Sequence, residues 1–154
     1  MPFRACVALI LILSACSQES SWGPLAVLDI DPDDVDAMQA GTEGTIRITD
    51  ECVFLNQNGR DTLLLWDDNR VQWDADSSQI THRNLDGASL TISDGDQLLV
   101  GGGSASQDFP DSVVTAWASE PADACLTGGA WVVGEVYTAP MEVVSEAARR
   151  GGNG

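Results

Sequence analysis

From Thr45 to Tyr137 apolar and polar residues fall into short runs, several of them alternating with a period of two and separated by turn residues. "GTIRIT" places Ile46 and Ile48 on one face. After Asp50-Glu51 comes "CVFLN", and Asn58-Gly59 then forms a strong hairpin signal between Cys52–Asn56 and the apolar run Thr62–Trp66. Further strands are predicted at Val71–Trp73, Gln79–Arg83 and Ser89–Ile92, and "SDGD" makes a tight turn into "QLLVGGG". The glycines at 101–103 mark a bend or a close backbone approach. Residues 104–123 read as irregular, and "AWVVGEVYTA" reads as the last strand, with Gly134 at a bulge. Pro140 suits a helix start, and "MEVVSEAARR" predicts a short helix that ends at Gly151-Gly152.

Six to eight short strands with a turn about every 8–12 residues predict an all-β domain. The bends and glycines favour a small closed or partly open β-barrel, OB-like, over a flat sandwich. The domain is expected at 41–139, with the short helix and tail at 140–154. Residues 16–40 are expected to be a tether, "SQESSWGP", followed by an acidic segment. Trp22 in that tether is expected at a membrane interface or on the domain surface.

The first 15 residues have a different pattern. Arg4 and the amino terminus give a short positive start, and Ala5–Leu13 carry no polar side chain. Nine helical residues reach about 14 Å, roughly half of a ~30 Å hydrocarbon core. The run suits the apolar region of a signal peptide and is too short for a permanent span. Leu13-Ser14-Ala15-Cys16 then resembles the lipobox of bacterial lipoproteins: an aliphatic residue, two small residues and a cysteine. The resemblance implies a diacylglyceryl group on the Cys16 thiol, removal of residues 1–15 and frequent acylation of the new amino terminus. It also implies a place on the extracytoplasmic face of a bacterial membrane. Ser17 is not the aspartate that retains some lipoproteins at an inner membrane. Two acyl chains give a stable anchor where one is marginal.

Charge narrows the partners. After residue 15 there are six arginines, no lysine and 24 carboxylates, a formal balance of −18. Such a surface repels phosphate backbones and anionic headgroups, which argues against nucleic-acid binding and electrostatic adhesion to membrane. Cys6 leaves with the signal peptide and Cys16 takes lipid, so Cys52 and Cys125 remain. In an oxidising compartment they are expected to form a disulfide, with free thiols or a metal pair as the alternative. Closing a loop of this length contributes about 4 kcal/mol on the chain-entropy model.

Candidate chemistry is sparse. Asp29, Asp31, Asp33, Asp34 and Asp36 suggest calcium, because hard cations want several carboxylate oxygens. An EF-hand loop from Asp29 fails where Asp34 replaces glycine and Ala40 replaces glutamate; a start at Asp31 fails as well. Asp29, Asp31 and Asp33 are therefore candidates only for a looser site, and the plain reading is a solvated acidic linker. His82 is the one histidine, expected as a partly exposed strand residue. No serine sits in a G-x-S-x-G elbow. Asp67-Asp68 and Asp94/Asp96 fall in turns, where aspartate is expected for backbone reasons. Trp66 and Trp73 flank "DDNRVQ" and would make a platform for sugar rings if exposed, or core if buried. The sequence thus predicts a non-catalytic binding or accessory lipoprotein of the cell envelope, without a cofactor. A calcium- or glycan-binding module is the alternative, followed by a hydrolase working through carboxylates alone.

Overall fold

A computed structural model of the chain describes residues 21–30, 40–105, 116–126 and 128–139. The expected signal peptide, Cys16, Asp31, Asp33 and the helix after Pro140 lie outside the described residues. The described part is all-β, with ten strands: β1 (Ala26–Leu28), β2 (Ala40–Ile48), β3 (Val53–Gln57), β4 (Arg60–Asp67), β5 (Val71–Asp74), β6 (Gln79–Arg83), β7 (Ser89–Ile92), β8 (Gln97–Ser104), β9 (Trp117–Ser119) and β10 (Ala130–Thr138). One 3-10 turn, Asp123–Cys125, lies between β9 and β10.

The strands form two sheets. The larger has seven strands in the order β10-β8-β2-β3-β4-β1-β9, and β10 also pairs with β4. Hydrogen bonding therefore runs β2-β3-β4-β10-β8 and back to β2. Two strands close this circuit by changing partner along their length. The first part of β2 (Ala40–Thr45) pairs with β8, and Thr45–Ile48 pair with β3. One edge of β4 is shared: Leu63–Leu65 pair in parallel with Ala130–Val132, and Leu65–Asp67 pair in parallel with Ala26–Leu28. The smaller sheet, β5-β6-β7, is inserted between β4 and β8 as an antiparallel meander.

Alternation along the strands explains two hydrophobic cores. Leu25, Val27, Val53, Leu55, Leu64, Trp66, Val133 and Val136 face the first core, which the inserted sheet completes with Val71, Ile80 and Ile92. The intervening residues Ala26, Leu28, Cys52, Phe54, Leu63, Leu65 and Val132 face a second core with Cys125. This is why "LAVL" and "TLLLW" are continuous apolar runs: a strand buried on both faces has no polar side to show. The sequence reading puts 16–40 outside the β-domain, but Leu25–Leu28 are no more than 2% exposed and belong to both cores. A second departure is β9, inside the stretch expected to be irregular, pairing antiparallel with β1.

The expected disulfide is present between Cys52 and Cys125, with Cα atoms 5.7 Å apart. It joins the start of β3 to the 3-10 turn and fastens 116–126 over the second core. The hairpin at Asn58-Gly59 has φ of 51° and 83°, the paired positive angles of a type I′ turn. Gly102 explains the expected close approach in "GGG": its φ is +144°, and a Cβ there would lie 1.9 Å from the Val132 carbonyl oxygen. The register between β8 and β10 shifts between Val133 and Val136, where the bulge at Gly134 is expected.

Two outcomes follow. Cys52→Ser with Cys125→Ser should cost about 4 kcal/mol of unfolding free energy in urea titrations, and a reductant should do the same to the unsubstituted protein. Gly102→Ala should destabilise by about 3 kcal/mol or more, whereas Gly129→Ala, where an added Cβ meets nothing within 4 Å, should stay near neutral.

Candidate functional site

The chemically densest part of the described structure is a seam where the inserted sheet meets β10. β6 carries Ile80 and His82 on its inner face, and Asn84 follows just beyond its end; all three are buried. Asn84 copies a strand neighbour: its Nδ2 donates to the Val136 carbonyl at 2.8 Å, and Val136 N donates to Asn84 Oδ1 at 2.9 Å. His82 Nε2 lies 3.1 Å from the Gly134 carbonyl oxygen. A carbonyl can only accept, so the neutral ring carries its proton on Nε2.

Beside His82 lies a buried ion-pair chain. Arg70 Nε donates to Asp67 Oδ2 at 3.0 Å, and Arg70 Nη1 donates to Glu135 Oε1 at 3.3 Å. Asp67 also accepts from Asn69 N at 2.9 Å, so the turn leaving β4 positions both ends of the first pair. Glu135, in the β10 bulge, accepts from Leu85 N at 2.8 Å and from the Tyr137 hydroxyl at 3.3 Å. The Trp66 ring lies 5.6 Å from the His82 ring, tilted by 57°. Burial, then the Arg70 charge, pushes the His82 pKa down to about 4, against the weaker upward pull of the Gly134 carbonyl, Glu135 and Asp67. Trp66 Nε1, Arg70 Nη2 and His82 Nδ1 are buried without a hydrogen-bond partner among the described residues. The chemistry available is that of a structural lock: two carboxylates are committed to one guanidinium, and the imidazole is held neutral.

The sequence expects His82 partly exposed; the structure buries it completely. The signal was legible in "QITHRN", where Ile80 inside requires His82, two residues on, to share its face. Trp66 is also fully buried, which removes it as a surface platform. Trp73 is half-buried and lies against the Gly23 backbone, where an added Cβ would stand 2.3 Å from its Nε1. The aspartates behave as turn residues: Asp94 Oδ1 accepts from Ile48 N at 2.7 Å, and Asp96 Oδ2 accepts from Ser93 N at 2.8 Å.

Asp29, the described member of the calcium set, lies near Asp67 and Asp68. Burial first, then the charges of Asp29 and Asp67, raises the Asp68 pKa. The Asn69 amide serves this corner, donating to Asp68 Oδ1 at 2.8 Å, Asp67 Oδ1 at 3.2 Å and the Ile30 carbonyl at 3.3 Å. Among the described residues no three His, Cys, Asp or Glu side chains are grouped to hold a metal ion.

The described surface includes two modest clefts. One, of about 260 Å³, is lined by Glu43, Thr45, the amides of Asn56, Gln57 and Asn58, and Gln97. The other, of about 230 Å³, lies between the β4–β5 turn and the outer face of the inserted sheet, with Arg70, Gln72, Thr81 and Arg83. Both fall below the ~300–1,000 Å³ typical of sites that enclose a small molecule. Among the described residues no helix is long and apolar enough to cross a membrane. Comparison with protein-family models, curated proteins and solved structures found no match.

The seam has a pH consequence. Because the folded pKa of His82 is about 4 and its ordinary value is 6.5, the unfolded chain binds the proton first as pH falls. Stability is therefore full above pH 6.5 and declines towards pH 4, by on the order of 3 kcal/mol. Urea unfolding at pH 7.5 and 4.5 should show this decline, and His82→Gln should flatten it.

Proposed function

We propose that this chain is an exported bacterial lipoprotein, held by lipid on Cys16 to the extracytoplasmic face of a membrane. Its β-domain would serve a non-catalytic binding or accessory role for an envelope protein. The observation that carries the reading is the lipobox Leu13-Ser14-Ala15-Cys16 behind a nine-residue apolar run. The buried Cys52–Cys125 disulfide supports it, since structural disulfides persist in oxidising compartments outside the cytosol.

Five strands, β2-β3-β4-β10-β8, whose pairing returns to its start support reading the larger sheet as a small OB-like barrel with β1 and β9 added outside the circuit. In such barrels the second and third strands, with the loops after the first and fourth, commonly take ligands. Here those strands are β3 and β4, and their outer face is filled by the second core. The disulfide ties the two corresponding loops together. A protein partner on another surface is thus favoured over a glycan. Buried Trp66 and the contact of Trp73 with Gly23 point the same way.

Labelling growing cells with an alkyne fatty acid tests the anchor. The unsubstituted chain should take up label and sediment with membranes; Cys16→Ser should lose the label and become soluble. Equal labelling of both would overturn the reading. Crosslinking in intact cells should then capture one defined envelope protein with the anchored form only, and a featureless background would remove the accessory role.

A further inference from the structure

We infer that the domain rests on the bilayer through one particular patch, the half-buried Trp22 and Trp73 at the turn where the chain enters the fold. The inference rests on the lipid anchor at Cys16 and specifies which side of the domain meets the membrane.

Three observations carry it. First, the tether is short. Trp22 follows Cys16 by six residues, which reach about 20 Å when fully extended. A domain of this size has a radius of gyration of about 14 Å and so spans roughly 35 Å. The chain can bring the side around Trp22 to the headgroups, but it is too short to turn the opposite pole of the domain towards them. Second, the chain is held from Ser21 onward. Leu25 N donates to the Trp22 carbonyl at 3.1 Å, closing the turn Ser21–Pro24, and β1 is buried immediately afterwards. The orientation at Trp22 is therefore passed directly to the domain.

Third, two indoles lie at this turn. The Trp73 ring is laid on the Gly23 backbone, both tryptophans pack against the first core, and both remain partly exposed. An indole with its body on the protein and an edge in solvent is the side chain favoured at headgroup depth, where one end is apolar and the other wet. The other half-buried tryptophan, Trp117, packs against the second core instead.

The charge around the patch defines the lipid it fits. Asp74 at the end of β5 and Asp76 in the β5–β6 turn are exposed beyond Trp73, and no lysine is present anywhere to offset them. Anionic headgroups repel that turn within about a Debye length of ~10 Å at 0.1 M salt. The surface it fits is a zwitterionic one.

The test uses the full lipidated protein, extracted from membranes, checked by mass for the lipid on Cys16 and reconstituted in phosphatidylcholine vesicles. Tryptophan emission is compared between ordinary lipid and lipid brominated along the acyl chains. The expected result is quenching by the brominated lipid, roughly halved in Trp22→Phe and in Trp73→Phe, and unchanged in Trp117→Phe. Quenching should also weaken when phosphatidylglycerol is added at low salt and recover at high salt. Vesicle-bound, lipidated protein that shows no quenching would overturn the patch and leave the lipoprotein reading standing. So would quenching that survives loss of both tryptophans. Protein that lacks the lipid mass and does not float with vesicles would remove the anchor and the patch together. The unsubstituted protein decides the main question even if a variant fails to fold.

Discussion

Strand β4 must satisfy two cores and three neighbouring strands at once, and the rest of the fold is arranged around that demand. Its residues Leu63–Trp66 are essentially without solvent exposure, alternating between the first and second cores. Such a strand can show neither a polar face nor a free edge, because every backbone group must be paired inside the protein. β3 takes one edge. The other is divided at Leu65, which pairs with both Val132 and Ala26. The division lets β10 turn away to join β8 while β1 continues the sheet outward. Without a strand at Ala26–Leu28, the second half of β4 would present unpaired amides to a desolvated environment.

The seam around Arg70 is the polar counterpart of this arrangement. A buried guanidinium is tolerated only with charge partners and directed hydrogen bonds, and removing one partner costs far more than the pair contributes. Asp67 comes from the end of β4 and Glu135 from the β10 bulge, so Arg70, in the β4–β5 turn, ties the central strand to the last one. The bulge is what turns Glu135 towards the seam and frees the Gly134 carbonyl for His82. Glu135 also accepts from the Leu85 backbone N–H and the Tyr137 hydroxyl at the same corner, two residues whose side chains are exposed.

Much of this was legible in the sequence. Eight of the strands stand where alternation and turn residues put them, because half-buried antiparallel strands write a period of two and Asn58-Gly59 admits one turn type. β1 and β9 were not legible. Each is three residues long, and "AVL" buried on both faces has no period to read. The disulfide followed from counting cysteines, since only Cys52 and Cys125 are left over once Cys6 is assigned to the expected signal peptide and Cys16 to the expected lipid. Arg70 was hidden for a different reason: its partner Glu135 is 65 residues away, and no local pattern announces a buried ion pair at that separation. The same holds for Asn84 with Val136, 52 residues apart.

The position of β1 also sets the order in which this protein can become folded. A chain made from its amino terminus releases Leu25–Leu28 first, yet their strand neighbour on β4 arrives about forty residues later. The other claimant to that edge, Ala130–Val132, is made near the end. Contacts of such long sequence separation form slowly, because loop closure must precede any gain from pairing. Until Thr138 has emerged the circuit of strands stays open, and until β4 has emerged Leu25–Leu28 are an unpaired apolar edge. The chain is therefore most vulnerable to aggregation and proteolysis while it is being made, and least so once β10 has joined β8 to β4.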